Sequence, residues 1–349
     1  MSLFLFSLLA CGTAEKDTDT GAEDTTSNNA ETEDTSPPWI PTGSGTAYFL
    51  DGLASNSVFT LEMSQVTPPP EAEVYGGYLL GPGVPEVYMG PVVEFNTPFF
   101  WQSEINMNAL IGGYNRFELR LNNSQEVIYS GQVDPIVEQT YQKLLISSPN
   151  TPDGDGSLRE IQETIQAIID HHDTAIATAT TIEELAAAAE ASTNTILGTQ
   201  DDIDKDGVVG TVSNYMALIG DNLADTDDLS NLRNRVLDDL AAASSAAHEI
   251  SPTHPIKDLA NYAYDCTQLV AVYVQNTEQE IFPLAYEITT EMAAATVRLQ
   301  QANTYLGYAL EGYDIDEDGS ITDETEGTIN CTIYHVSKMA YMEVNIDGN

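Results

Sequence analysis

The hydrophobic pattern of this chain changes its period near residue 133. Over residues 39–133, short runs of β-branched and aromatic residues alternate with polar ones and are separated by Gly, Pro or Asn, which predicts β-strands. Over residues 134–349, apolar residues such as Leu158, Ile161 and Ile165 recur at helical spacing. We therefore predict an α+β protein with two domains, an antiparallel β-sandwich of residues 39–133 followed by a helix bundle of residues 134–349.

Local signals give these elements approximate bounds. The strand runs lie at 46–50, 58–63, 74–80, 117–121 and 126–129, and the main helical stretches lie at 158–169, 181–198, 212–220, 228–249, 256–276, 278–311 and 328–344. Thr181 and Glu184 form a capping box that predicts a helix start, and Gly198 can close the same helix. Pro283 lies near the predicted start of a helix, where it is tolerated in the first turn or causes a kink.

Parts of the β region resemble the extracytoplasmic β domain of anti-sigma-K-type factors. The matching residues are the strand Tyr75–Leu80, a turn at residues 90–92 (Gly-Pro-Val) and residues 129–131 (Tyr-Ser-Gly), which close the domain. The resemblance implies a sandwich fold. It does not imply sigma-factor binding, because that role requires a cytoplasmic helical domain and a transmembrane helix, which the sequence lacks. An extracytoplasmic sensor related to these factors is one alternative function.

The charge of the chain limits its partners. It has 55 acidic and 11 basic residues, a formal net charge of -44. Nucleic acid is excluded, because phosphate binding requires clustered Lys and Arg, and so is contact with an anionic membrane through a basic face. Divalent cations would offset the repulsion within so acidic a body. The alternative is an acidic surface that only keeps the protein soluble or suits it to a high-salt environment.

The N-terminus indicates export. Residues 1–10 are mostly apolar and end in Leu8-Leu9-Ala10 before Cys11, which resembles a bacterial lipobox. The apolar run is only about nine residues long and no Lys or Arg precedes it; a start codon assigned too far downstream would explain both. We predict a lipoprotein signal at 1–11, with Cys11 lipidated, and a disordered acidic linker at 12–38. The membrane would then be a partner through the lipid, at the periplasmic or cell surface. A plain cleaved signal is the alternative.

The remaining cysteines form a pair. If Cys11 carries lipid, Cys266 and Cys331 are left, an even number in an oxidising compartment. A disulfide between them would close a loop of roughly 65 residues and stabilise the fold by about 4 kcal/mol. Two buried free thiols are the alternative.

Two segments, 202–209 and 314–321, share the pattern D-I-D-x-D-G-x-[VI] and resemble the first eight positions of EF-hand calcium loops. The predicted calcium ligands are Asp202, Asp204, Asp206 and the carbonyl of Val208 in the first loop, and Asp314, Asp316, Asp318 and the carbonyl of Ser320 in the second. Position 8 is apolar and is expected to anchor each loop.

The twelfth position departs from the EF-hand pattern, since Ser213 and Thr325 replace the bidentate Glu. Glu324 and Glu326 flank the second loop as substitutes, so the first loop is expected to bind more weakly. Modest affinity suits millimolar extracellular calcium and a structural role. Residues 153–157 form a looser third candidate. Acidic turns that hold no ion are the alternative for all three.

The predicted helices also carry histidines, namely His171, His172, His248 and His335. Together with carboxylates they could hold a transition metal such as iron, copper or zinc, with or without an enzymatic role; isolated, structurally satisfied histidines are the alternative. Along the chain, a helix with two His is followed by an acidic loop, a His-bearing helix, a second acidic loop and Tyr334-His335. This order resembles that of uncharacterised bacterial extracytoplasmic helical proteins, and the resemblance implies no known activity.

The sequence contains none of the common catalytic motifs, such as a Gly-x-Ser-x-Gly elbow or a phosphate loop. The leading hypothesis is therefore a lipid-anchored surface protein that acts as a calcium-stabilised binding or interaction module for an unknown protein or surface ligand.

Overall fold

A computed structural model describes residues 38–50, 57–92, 98–105, 113–149, 151, 154–203, 205–212, 217–220, 230–314, 319–322, 326 and 328–347. The chain divides into two compact units, Met1–Trp39 and Ile40–Asn349, and all of the elements named below lie in the second. The described residues form eight strands and seven α-helices, which confirms the α+β class.

The strands form one antiparallel sheet. They are β1 (Ser44–Leu50), β2 (Ser57–Ser64), β3 (Tyr75–Leu80), β4 (Val87–Val92), β5 (Phe99–Ile105), β6 (Arg116–Leu121), β7 (Val127–Gln132) and β8 (Met342–Ile346). Their order is β4-β3-β6-β7-β8-β1-β2-β5. The outermost strands approach each other, since the Ser103 hydroxyl of β5 donates to the Met89 carbonyl of β4 at 3.1 Å. The sheet is therefore nearly closed on itself, and the predicted sandwich is not confirmed.

β8 pairs with both β1, the first strand of the chain, and β7, the last strand before the helices. Gly45 of β1 is paired with Val344 on one side of β8, and Tyr129 of β7 is paired with Ile346 on the other. Met342 and Val344 are buried while Glu343 and Asn345 are exposed, as expected for a strand with one buried face. The predicted helix at 328–344 therefore ends early, and the predicted division at residues 133/134 is not confirmed.

Five of the strands match predicted runs, whereas β4, β5 and β8 were missed. The predicted turn at residues 90–92 is in fact the end of β4, where Pro91 pairs with Gly76. A proline has no N–H for a ladder, but β4 lies at one end of the strand order, where a proline is tolerated.

Aromatic side chains fill the interior of the sheet. The ring of Phe59 lies 5.2 Å from that of Phe49 and 4.8 Å from that of Phe117, and all three are fully buried. Tyr75 and Tyr129 are buried beside them, and their hydroxyls donate to backbone carbonyls at 2.9 and 2.5 Å. The polar ends of the buried tyrosines are thus satisfied.

The helices are α1 (Pro135–Tyr141), α2 (Ser157–Thr178), α3 (Ile182–Leu197), α4 (Leu232–Ile250), α5 (Pro255–Ala285), α6 (Met292–Glu311) and α7 (Ile329–Met339), with a short π-helical segment at Gln142–Ile146. The long helix α5 packs against α3, α4, α6 and α7, while α2 packs against α6. α7 also contacts β1, so the helices cover part of the sheet.

Two helix predictions need correction. The described part of 212–220 is not helical, because the N–H groups of Leu218 and Ile219 both bond to the Ile196 carbonyl, at 3.1 and 3.2 Å. Pro283 lies in the last turn of α5 rather than at a helix start, and its carbonyl accepts from the N–H groups of Ile288 and Thr289. The capping box of Thr181 and Glu184 is confirmed at the start of α3.

Candidate functional site

The two acidic loops adopt the same turn wherever both are described. In the first loop the Gly207 N–H donates to Oδ2 of Asp202 at 3.2 Å, and in the second the Gly319 N–H donates to Oδ2 of Asp314 at 2.9 Å. These glycines occupy position 6 and have φ values of +89° and +90°, a conformation that favours glycine. The repeated sequence pattern therefore corresponds to a repeated backbone structure.

A buried glutamate accepts a hydrogen bond from the backbone N–H at position 9 of each loop. Glu190 of α3 accepts from the N–H of Ile203 at 2.8 Å and from the N–H of Gly210, at position 9, at 3.1 Å. Glu326 accepts from the N–H of Thr322, position 9 of the second loop, at 3.2 Å. Sequence reasoning identified Glu326 but missed Glu190, because Glu190 precedes the loop and lies on another element. The sequence indicated no acid near the first loop, whereas in the structure Glu190 is hydrogen-bonded to that loop.

Helix α3 also ties together the two ends of the first loop. The Asn194 amide donates to the carbonyls of Asp201 and Gly210, both at 2.9 Å, while the Thr195 hydroxyl accepts from the Val212 N–H at 2.9 Å. The loop is therefore pinned to a rigid helix at both ends, which reduces the entropy lost when a ligand orders it.

The expectation that an apolar position 8 anchors each loop is wrong. Val209 is 47% exposed and Ile321 is 45% exposed. In the first loop the buried apolar residue is Ile203, at position 2, because Glu190 binds its N–H and draws that residue against α3.

The predicted ligands differ in exposure. Asp202 and Asp206 are exposed, Asp314 is half-buried and the position-7 residues Val208 and Ser320 are exposed. The Asp206 carboxylate accepts from the Val208 N–H at 2.6 Å. Other predicted residues lie outside the part of the chain that the structure describes: Asp204, Asp316, Asp318, Glu324, Ser213, Thr325, Asp153 and the lipidation site Cys11.

The third candidate segment begins α2. The Asp155 carbonyl accepts from the Ser148 N–H at 3.1 Å and from the Thr151 hydroxyl at 2.6 Å, and its carboxylate faces Arg159 at 3.7 Å. The backbone at Gly156 is so close to Leu145 that a Cβ would lie 2.4 Å from its carbonyl carbon. This close approach explains the glycine at position 156.

His172 is buried in a neutral form. Asn303 donates through Nδ2 to Asp173 at 2.8 Å, so its Oδ1 faces Nδ1 of His172, which must donate at 2.7 Å. Burial lowers the His172 pKa to about 4, and the Asn303 hydrogen bond offsets part of this effect. Burial also lowers the pKa of His171, which lines an open groove of about 440 Å³ between α2 and α3.

The four predicted histidines do not form one cluster. His248 is exposed near the end of α4, whereas His335 is buried and stacks on Tyr262 with ring centroids 5.2 Å apart. One group of three potential metal ligands occurs among the described residues, and it consists of Cys266, Cys331 and His335. His335 is the single member of it that the histidine hypothesis named.

Comparison with known proteins gave no match. No family model, curated protein or solved structure matches this chain.

Two further observations bear on the sequence hypotheses. The sulfurs of Cys266 and Cys331 lie at disulfide distance, with Cα atoms 5.9 Å apart, as the cysteine count predicted. None of the described helices has the length and apolar character that a transmembrane span requires.

Proposed function

We propose that this chain is an exported, lipid-anchored surface protein whose two acidic loops bind calcium, and that it acts as a binding or interaction module. The observation that carries the proposal is the shared construction of the loops. In each, the position-1 Asp accepts from the position-6 Gly, and a buried glutamate accepts from the position-9 N–H. Carboxylates that converge on one turn are the ligands that calcium prefers.

The charge balance supports a cation as the ligand. Asp202 and Asp206 repel each other in the first loop, and the whole chain carries a formal charge of -44. A bound divalent ion would remove this local repulsion, so calcium would stabilise the folded state.

Chelating calcium is expected to lower the melting temperature. A loop with a Kd of about 0.1 mM, in about 2 mM calcium, contributes roughly 1.8 kcal/mol to the free energy of unfolding. Because Glu190 holds the first loop as Glu326 holds the second, we expect comparable contributions from the two, where the sequence predicted a weaker first loop. Thermal unfolding with and without chelator, and calorimetric titration with calcium, measure this effect.

Asp202→Asn and Asp314→Asn are the informative variants. Asparagine keeps an oxygen that can accept from the glycine N–H but loses the charge, so the turn should survive while calcium binding weakens. Asp201→Asn and Glu311→Gln remove neighbouring charges outside the ligand positions and serve as matched controls. A melting temperature indifferent to chelator in the wild type, with no heat of calcium binding, would show that these are acidic turns only.

Lipid anchoring is tested separately. Cys11→Ala, in a coding sequence with the correct start, is expected to move the protein from the membrane fraction to the soluble fraction. The expected change is nearly complete, because the lipid is the one membrane attachment that we propose. Immunoblotting of the two fractions measures it, with the wild-type protein from the same coding sequence as the reference. If the Cys11→Ala protein still sediments with membranes, the anchor is elsewhere.

A further inference from the structure

Three soft metal donors meet where α5 packs against α7. Cys266 lies on α5, while Cys331 and His335 lie four residues apart on one face of α7. Their ligand atoms all lie within 4.8 Å of one another, and all three residues are buried. The arrangement is not that of the calcium loops, since it contains no carboxylate and lies between helices.

We propose that, when the Cys266–Cys331 disulfide is reduced, these three side chains bind a zinc ion. Two thiolates and one imidazole are typical zinc donors. In a tetrahedral site with zinc–sulfur bonds of about 2.3 Å, the two sulfurs lie roughly 3.8 Å apart. The Cα separation of 5.9 Å accommodates such a spacing through side-chain rotation alone.

The chemistry balances with a dithiol reductant. The reductant passes two electrons and two protons to the disulfide, which becomes two thiols while the dithiol becomes a disulfide. Zinc then displaces both thiol protons. The bound ion, two thiolates and neutral imidazole have no net charge, so the complex carries little of the desolvation cost of a buried charge.

Tyr262 provides a route for the ion. Its ring stacks on the His335 imidazole at 5.2 Å and 26°, and its side chain is 58% exposed. Tyr262 lies one helical turn before Cys266 on α5. The Tyr262 ring therefore covers one face of the His335 imidazole, and the Tyr334 ring contacts it edge-on at 5.2 Å and 84°. Movement of the exposed Tyr262 is the entry route that we propose for the ion.

Cobalt(II) is the probe for this site, because thiolate ligation gives it a characteristic near-ultraviolet absorption. Full-length protein is reduced with a phosphine under anaerobic conditions, in excess calcium to occupy the acidic loops, and titrated with cobalt and then zinc. We expect one thiolate-bound cobalt per reduced chain, displaced by zinc, and none in the oxidised chain. His335→Gln should weaken cobalt binding at least about tenfold, whereas the exposed His248→Gln should not.

Several outcomes would overturn the proposal. One is a reduced, folded wild-type chain that shows no thiolate-to-cobalt absorption. Another is a His335→Gln variant that binds cobalt as tightly as the wild type. A third is loss of the far-ultraviolet circular dichroism of the folded chain upon reduction, because the three donors would then no longer be held together.

Discussion

Replacing both Cys266 and Cys331 with alanine is expected to lower the free energy of unfolding by about 4 kcal/mol under oxidising conditions. The bond closes a loop of 65 residues that includes α6 and the second acidic loop, so its loss frees a large part of the unfolded chain. Alanine is chosen because both positions are buried and a serine hydroxyl would need a partner there. Urea denaturation of the two proteins measures the difference.

The same comparison with reductant present is the control. Both proteins then lack the bond, so their midpoints should nearly coincide, apart from the two sulfur atoms lost from the core. Midpoints that already agree without reductant, or intact-mass analysis in which both thiols are alkylated without prior reduction, would contradict the disulfide.

Lowering the pH from 7.5 to 4.5 is expected to remove about 2 to 3 kcal/mol of stability through His172 alone. Its folded pKa of about 4 lies below the ordinary value of 6.5, because the buried imidazole resists charge. Between these values the unfolded chain binds a proton that the folded chain does not. The contribution of His172 is thus fully present above pH 6.5 and is lost as the pH falls towards 4.

His172→Gln isolates this effect from the many carboxylates that titrate in the same range. The variant should lose less stability between pH 7.5 and 4.5 than the wild type, by about 2 to 3 kcal/mol, although it is less stable at pH 7.5. His248→Gln is the matched control, because it makes the same substitution at an exposed histidine. Identical pH dependence in wild type and His172→Gln would mean that His172 is protonated as easily in the folded state.

The features that the sequence predicted well are local. The Thr181–Glu184 capping box, the φ-positive Gly198 at the end of the same helix and the two position-6 glycines of the acidic loops are each specified by a few neighbouring residues. Alternation of apolar and polar residues likewise predicts the strands β1, β2, β3, β6 and β7.

The features that were missed depend on distant residues. β8 is a short strand directly after a helix, and nothing in its five residues indicates that it pairs with β1, about 300 positions earlier. In the sequence nothing distinguishes Glu190 from other helical acids, because its role depends on the first acidic loop that the fold brings against it. The meeting of Cys266 with His335 similarly requires the packing of α5 on α7.

The position of β8 also sets an order of assembly. In the finished sheet β8 stands between β1 and β7, yet it is the last of the eight strands to be synthesised. Until residues 342–346 emerge, β1 and β7 each present an unpaired edge that could pair with another chain. A protein built this way completes its sheet only after translation of the helices, so every chain that stops short of residue 342 lacks the strand that covers both edges.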